Sequence, residues 1–323
     1  MALSRFIPNA SKHNNHRLSG DFIMLGAESA LAKTPDFTQL LSKFKTPYFT
    51  TGHQGQRRSG TGADFWQYKE YQDGDNSQNI DWRKSAKGDT HYIREREWEK
   101  SQTISIWLSR SRMMQFAHKS DDYSKAQYAA ILAYILSAKF MLTGEHIKFI
   151  NAQIKGLHSA AQLQHFAHSL AEHSRKTVPY QKSDIGQAKS FPILISDFWE
   201  DLTVVEKQIK QLSANNFRGL VIQIASPAEL TLPYKGRVVL ESISQDSAEN
   251  FTISKIEDTK TAYIQRINAH QRDIERLAHK YGCQYIQLNT ARALTSATMD
   301  VYRSLAGLPP ASTQGATSAE GEI

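Results

Sequence analysis

Short apolar, β-branched runs alternating with helix-length segments constrain this chain more than any other feature of it. TISIWL at residues 103–108 leads into a helical pattern over 124–142, and a strand over 147–150 follows. PILIS at 192–196 and GLVIQIA at 219–225 are of the same type, with a helix reaching residue 212 between them. Runs that are apolar at successive positions suit strands covered on both faces. Parallel strands of that kind need crossover connections, which helices supply. A less regular strand pair at 238–243 and 251–254 precedes a helix over 259–281, which Gly282 ends as a C-cap, and a strand at 284–288 closes the series. The pattern predicts an α/β fold: a mostly parallel sheet with helices on both faces.

An extension precedes this core. Residues 1–20 are polar and rich in His and Asn, and are expected to lack fixed structure. Residues 22–33 and 36–44 have helical character, the second with Phe37, Leu40, Leu41 and Phe44 on one apolar face. Residues 1–50 therefore read as a helical lead-in and 51–305 as the main domain. Residues 306–323 read as a disordered tail, because they carry no apolar cluster that could form a core.

Between lead-in and core, residues 52–99 combine three signals. Gly60 and Gly62 flank Thr61 in a glycine-punctuated loop. Asp73-Gly74-Asp75 is a tight turn, with Asn76 and Ser77 as caps for a short helix at 79–84. From Tyr92 to Trp98 a period of two sets Tyr92, Arg94, Arg96 and Trp98 opposite Ile93, Glu95 and Glu97. Trp82 is expected to be a buried anchor and the stretch to pack along the strand at 103–108.

The spacing of Gly60, Gly62, Asp64, Phe65, Tyr71, Gln72, Gly74, Asp75, Ile80, Asp81, Trp82, Arg83, Ser85, Ala86, Tyr92, Ile93, Arg94, Glu95 and Glu97 resembles the signature of the bacterial family known as domain of unknown function 58, DUF58. LISDF at 194–198, SPAEL at 226–230 and LNT at 288–290 extend the resemblance, which covers about residues 52–305. It implies a fold related to the von Willebrand factor A domain and a genomic association with MoxR-type AAA+ ATPases. It implies no established activity.

Composition excludes several alternatives. The chain has 39 Lys and Arg against 32 Asp and Glu, a formal charge of +7 over 323 residues. Residues 51–100 are neutral, and the excess elsewhere forms no polybasic block or aromatic-basic ladder, so nucleic-acid binding is not expected. Cys283 is the only cysteine, which excludes an internal disulfide and a multi-cysteine metal cage. The first 20 residues lack the apolar core of a secretory signal, and the longest uncharged apolar run, 126–138, is shorter than the roughly 20 residues of a membrane span. These features predict a cytoplasmic protein with no membrane span.

Candidate chemistry is thin. Asp64, Asp73, Asp75 and Asp81 could face a cation, but glycine falls at the second place of an EF-hand loop and Lys84 takes the place of its closing glutamate. Capping and pairing with Arg83, Arg94 or Arg96 is the simpler reading. His158, His165 and His168 lie opposite the apolar seam of Leu163, Phe166, Ala167 and Leu170, with no second set of ligands in view, and His173 completes that histidine concentration. No phosphate-binding glycine loop and no nucleophile motif is present, so neither a catalytic residue nor a cofactor is expected.

Asp197, at the carboxyl end of a predicted parallel strand, is the foremost single carboxylate; its alternative role is to cap the following helix. A von Willebrand A-like fold would place D-x-S-x-S at the end of the strand at 103–108. Here Ser109 stands in the aspartate place, Ser111 in the first serine place and Met113 in the second, with Arg110 and Arg112 between them. A thioether is unsuited to magnesium and one hydroxyl with Asp197 leaves too few hard ligands, so this degenerate site is expected to be metal-free. The resemblance to DUF58, with no complete catalytic set in the sequence, implies a non-enzymatic interaction module, an adaptor or co-factor protein of a MoxR-type AAA+ ATPase, with other von Willebrand A-domain proteins as further expected partners. A hydrolase or phosphoesterase using Asp64, Asp75, Asp81 and Asp197 with a divalent ion is the alternative.

Overall fold

The computed structural model describes residues 6–8, 18–34, 37, 59–71, 80–86, 88, 90–97, 103–118, 121–150, 157, 160–175, 191–213, 219–242 and 250–306. They fall into two compact units, one of Met1–Tyr48 with Gln102–Ile323 and one of Phe49–Ser101. The strands are β1 (Phe6–Pro8), β2 (Ser59–Glu70), β3 (Tyr92–Glu97), β4 (Thr103–Leu108), β5 (His146–Phe149), β6 (Phe191–Ser196), β7 (Leu220–Ala225), β8 (Val238–Ser242), β9 (Asn250–Ile253) and β10 (Gln284–Asn289). The helices are α1 (Gly20–Lys33), α2 (Trp82–Ser85), α3 (Lys125–Leu142), α4 (Ala160–Arg175), α5 (Leu202–Ser213), α6 (Pro227–Thr231), α7 (Glu257–Lys280) and α8 (Leu294–Leu305), with a 3-10 turn at Arg112–Gln115.

The larger unit is built on a five-stranded sheet in the order β10-β7-β6-β4-β5, parallel at every pairing. The α/β class and the parallel sheet expected from the alternating runs are therefore present. Every residue of β6 and β7 is buried, which is why both read as continuous apolar runs. On one face Trp107, Leu194 and Val221 pack against Val205 and Ile209 of α5 and Ile274 and Ala278 of α7. On the other lies α3, buried at every residue from Lys125 to Phe140. It lacks a polar face because α1, α4 and α8 surround it on the side away from the strands. Its start is fixed by a capping box: Gln127 N donates to Ser124 Oγ at 3.2 Å, and Ser124 N donates to Gln127 Oε1 at 2.8 Å.

The chain start departs from expectation. Phe6–Pro8 pairs antiparallel with β8, which pairs with β9, so part of a segment read as structureless forms the edge of a second, three-stranded sheet. Helix α8 follows β10 where the sequence reading ended with that strand. Gly282, at φ +73°, occupies the left-handed position after α7 that only glycine takes without strain. Of the proposed helix at 36–44, Phe37 is fully buried against Phe140 and Tyr302, with ring centroids 5.4 and 4.8 Å away. The remainder of that helix and the proposed tail at 306–323, beyond its first residue, lie outside the described residues. Among the described residues no helix is long and apolar enough to cross a membrane.

In the smaller unit β2 and β3 form an antiparallel ribbon. Gly60 and Gly62 lie within β2 rather than in a loop. Gly60 and Phe65 both register with Arg96, so the intervening residues bulge, which glycine tolerates. Asp64 and Phe65 belong to the same strand, and Arg94, Glu95 and Glu97 to β3. Helix α2 is capped by Asp81, whose Oδ1 accepts from Arg83 N and Lys84 N at 3.1 Å each; Asn76 and Ser77, the caps expected from sequence, lie outside the described residues, as do Asp73, Gly74 and Asp75. Ser85 Oγ donates to Asp81 O and accepts from Tyr92 N, both at 2.9 Å, tying this turn to β3. Ile80 is half-buried, and Tyr71 N donates to His91 O at 2.8 Å. Trp82 is not the buried anchor expected: it is 64% exposed, touching His91 edge-on at 5.8 Å, because a one-turn helix offers it no facing layer.

Candidate functional site

Strand order fixes where a site belongs. From β4 the chain moves outward to β5, then crosses back to place β6 on the other side of β4. The connections leaving β4 and β6 thus diverge, opening the topological switch point at which α/β sheets place ligands, beyond the carboxyl ends of the strands. Ser109 and Asp197 are the first residues past those two ends, and Ser109 N donates to Ile195 O, within β6, at 2.9 Å.

The position is filled by three ionic side chains. Lys125, the first residue of α3, sends its Nζ to Asp197 Oδ2 at 2.9 Å and to Glu229 Oε1, on α6, at 2.6 Å. The side chains of Lys125 and Asp197 are fully buried and that of Glu229 is 7% exposed. Burial alone would lower the Lys125 pKa, but Asp197 and Glu229 outweigh it and hold the ammonium above its ordinary value. Burial pushes the Glu229 carboxyl up, against the opposing pull of Lys125. One ammonium serves two buried carboxylates, and the Asp197 charge adds a smaller upward push at Glu229 to that of burial.

Each carboxylate is also held from behind. Glu229 Oε2 accepts from Ser226 N at 2.8 Å, while Ser226 Oγ accepts from Ala228 N and donates to Asp121 Oδ2 at 2.7 Å. Ser196 Oγ donates to Asp197 Oδ1 at 3.4 Å, and the Asp197 carbonyl accepts from Gln223 Nε2 at 2.8 Å. Tyr285 OH in turn donates to Gln223 Oε1. Phe198, at φ +51°, turns the chain sharply out of β6, and its carbonyl is met by His270 Nε2 at 2.8 Å. Met113, Phe116, Trp199, Ala225 and Ile267 form an apolar cluster at the same end of the sheet. Beside them Glu200 is raised to about 7, chiefly by burial and further by the Asp197 charge, with a hydrogen bond from Gln208 opposing.

The candidate ligands named from sequence are otherwise engaged. Ser109 is buried and its Oγ accepts from Ser111 N at 3.2 Å; Ser111 Oγ accepts from Met113 N at 3.2 Å, starting the 3-10 turn. Met113 is buried in the apolar cluster. Asp197 does not cap α5: that role falls to Asp201, whose Oδ1 accepts from Thr203 N at 2.9 Å. A magnesium ion of the kind a von Willebrand A-like fold implies does not fit these residues, since the one anionic ligand among them already binds an ammonium. Among the described residues no group of three or more His, Cys, Asp or Glu could hold a metal ion. His165 and His168 are exposed, as expected, and His158 lies outside the described residues, whereas His173 is buried and stands edge-on to Phe149 at 5.3 Å. Lys125 and Glu229 were not among the sequence candidates. Their signals are a lysine opening a largely apolar helix, and a Ser-x-x-Glu capping box after a buried strand, within the SPAEL stretch at 226–230.

The family model described as "Protein of unknown function DUF58" matches residues 67–273. Among curated proteins none matches the chain. Two solved structures are similar over 64% of it: the conserved hypothetical protein BatB from Bacteroides thetaiotaomicron, 11% identical with 98% of that chain covered and a TM-score of 0.35, and an aerotolerance-related membrane protein from Bacteroides fragilis NCTC 9343, crystallised with multiple mutations to serines, 13% identical with all of that chain covered and a TM-score of 0.38.

Proposed function

The chain belongs to the DUF58 family, and from that premise we propose that it is a non-enzymatic protein-interaction module, an adaptor for a MoxR-type AAA+ ATPase. One observation carries the reading. Supporting it, the carboxyl end of the parallel sheet, where an α/β enzyme receives its substrate, is occupied among the described residues by the buried Lys125–Asp197–Glu229 set and the cluster around Trp199. Recognition then falls to the surface, and the signature turn supplies a suitable element: Trp82 and Arg83 are adjacent and exposed, and tryptophan and arginine are the residue types that most often anchor interfaces. A von Willebrand A-like ancestry for the sheet and a cytoplasmic location, where an ATPase finds its nucleotide, belong to the same proposal.

The alternative, a metal-dependent hydrolase on Asp64, Asp75, Asp81 and Asp197, draws less support. Asp197 is committed to an ammonium and Asp81 to a helix cap. Crosslinking and co-purification from the native host tests the proposal, with recovery of an AAA+ ATPase expected. Absence of any such ATPase at normal abundance of the folded protein, or phosphoesterase activity that Asp81→Asn abolishes without unfolding, would overturn it.

A further inference from the structure

Lys125 is attached to the chain at the start of α3, and each of the two carboxylates it meets is held by other groups as well. Asp197 is oriented by Ser196 Oγ and by the turn out of β6, and Glu229 by the capping box with Ser226. One oxygen of each, Asp197 Oδ2 and Glu229 Oε1, converges on a single point 2.9 and 2.6 Å distant, and that point is the ammonium nitrogen. Two preformed, buried, hard anionic oxygens on one point are the core of a calcium or manganese site, whose metal–oxygen distances of about 2.1–2.6 Å lie just inside those of the ammonium. The charge balance also favours a dication: an ammonium leaves the pair one negative charge in excess, a divalent ion leaves none.

We infer that Lys125 is a resident cation, occupying from within the chain a point that accepts a hard divalent ion once the ammonium is removed. The wild-type fold is thereby independent of exchangeable metal at this position, because the side chain that excludes the ion is covalently part of the protein. The space left by the lysine stem in a Lys125→Ala variant admits the waters that would complete the coordination shell. This inference stands apart from the interaction function: it concerns what fills the sheet's carboxyl end and not what binds the surface.

The test compares wild type, Lys125→Ala and the double variant Lys125→Ala/Asp197→Asn by calorimetric titration and by unfolding midpoint, with calcium and with manganese. Lys125→Ala is expected to bind one ion per chain at least about tenfold more tightly than wild type, with a midpoint that rises with ion concentration, and the double variant to lose both effects. A folded Lys125→Ala protein that binds no better than wild type would overturn the inference. So would a wild-type protein that binds one ion in an Asp197-dependent manner. If Lys125→Ala is unfolded without metal, its refolding is expected to require the ion, and failure to refold with either ion counts against the proposal. Wild type offers an independent readout through nitrogen-15 NMR of the lysine side chains. The Lys125 nitrogen is expected to report a charged ammonium through the neutral and mildly alkaline range, and a neutral amine there would contradict a resident cation.

Discussion

Replacing Lys125 by methionine keeps most of the side-chain volume and removes the charge, so its cost isolates the ionic contribution. The ammonium is fully buried and makes contacts of 2.9 and 2.6 Å to two buried carboxylates. Removing one partner from a buried ion pair typically costs about 3–5 kcal/mol, because the remaining charge has neither water nor a counter-ion. Two carboxylates are stranded here, which puts Lys125→Met at the upper end of that range near neutral pH. Glu229 is already raised by burial and loses the opposing pull of the Lys125 ammonium, so its folded-state pKa rises further above the unfolded value. A raised carboxyl favours the fold below its unfolded pKa, and that contribution is lost as pH rises through the folded value. The deficit of Lys125→Met should therefore be smallest at about pH 5 and largest at about pH 8. Denaturant unfolding at both pH values measures it, and neutralising the stranded groups in Lys125→Met/Asp197→Asn/Glu229→Gln should recover about 2 kcal/mol or more. A single variant within about 1 kcal/mol of wild type at about pH 8, or a deficit independent of pH, would refute the reasoning.

Three further outcomes follow from other positions. Glu200, raised to about 7, favours the fold below its unfolded pKa and loses that contribution as pH rises through about 7; Glu200→Gln should remove about 1–3 kcal/mol of stability loss across that window, read from midpoints at several pH values. Lys139 Nζ donates to the carbonyls of Leu31 at 3.1 Å and Thr34 at 2.7 Å, closing the end of α1, so Lys139→Met should cost about 1–3 kcal/mol and speed amide exchange in the last turn of that helix. A Cβ at Gly219 would stand 2.9 Å from Pro192 Cγ and 3.0 Å from its carbonyl oxygen, so Gly219→Ala should destabilise the β6–β7 pairing by about 1–3 kcal/mol, measured by thermal unfolding.

The elements that sequence reading places well are those whose signal is local. PILIS and GLVIQIA carry burial on both faces in their own composition, and the run after Ser124 can only be a helix inside the fold. Helix α8 is harder to see, since its N-cap, Ala293, has no side chain that could cap it and the helix buries Thr298, Asp300 and Ser304 among its apolar residues. The ionic set is invisible for a different reason. Its members are separated by 72 and 104 residues, and a lysine beginning a helix reads as solvated until the fold brings Asp197 and Glu229 to it. Trp82 fails in the opposite sense, because aromatic size suggests burial while a single turn of helix supplies nothing to bury it against.

The central claim is that this chain binds its partner through surface residues of the signature turn while the end of the sheet stays closed. Affinity for the co-purified ATPase, measured calorimetrically for wild type and Trp82→Ala beside their unfolding midpoints, tests it most directly. Trp82 is exposed, so the variant should unfold within about 0.5 kcal/mol of wild type, yet lose about 2 kcal/mol or more of binding, as truncated interface tryptophans do. An unchanged affinity, or a loss of binding that tracks an equal loss of stability, would contradict the account.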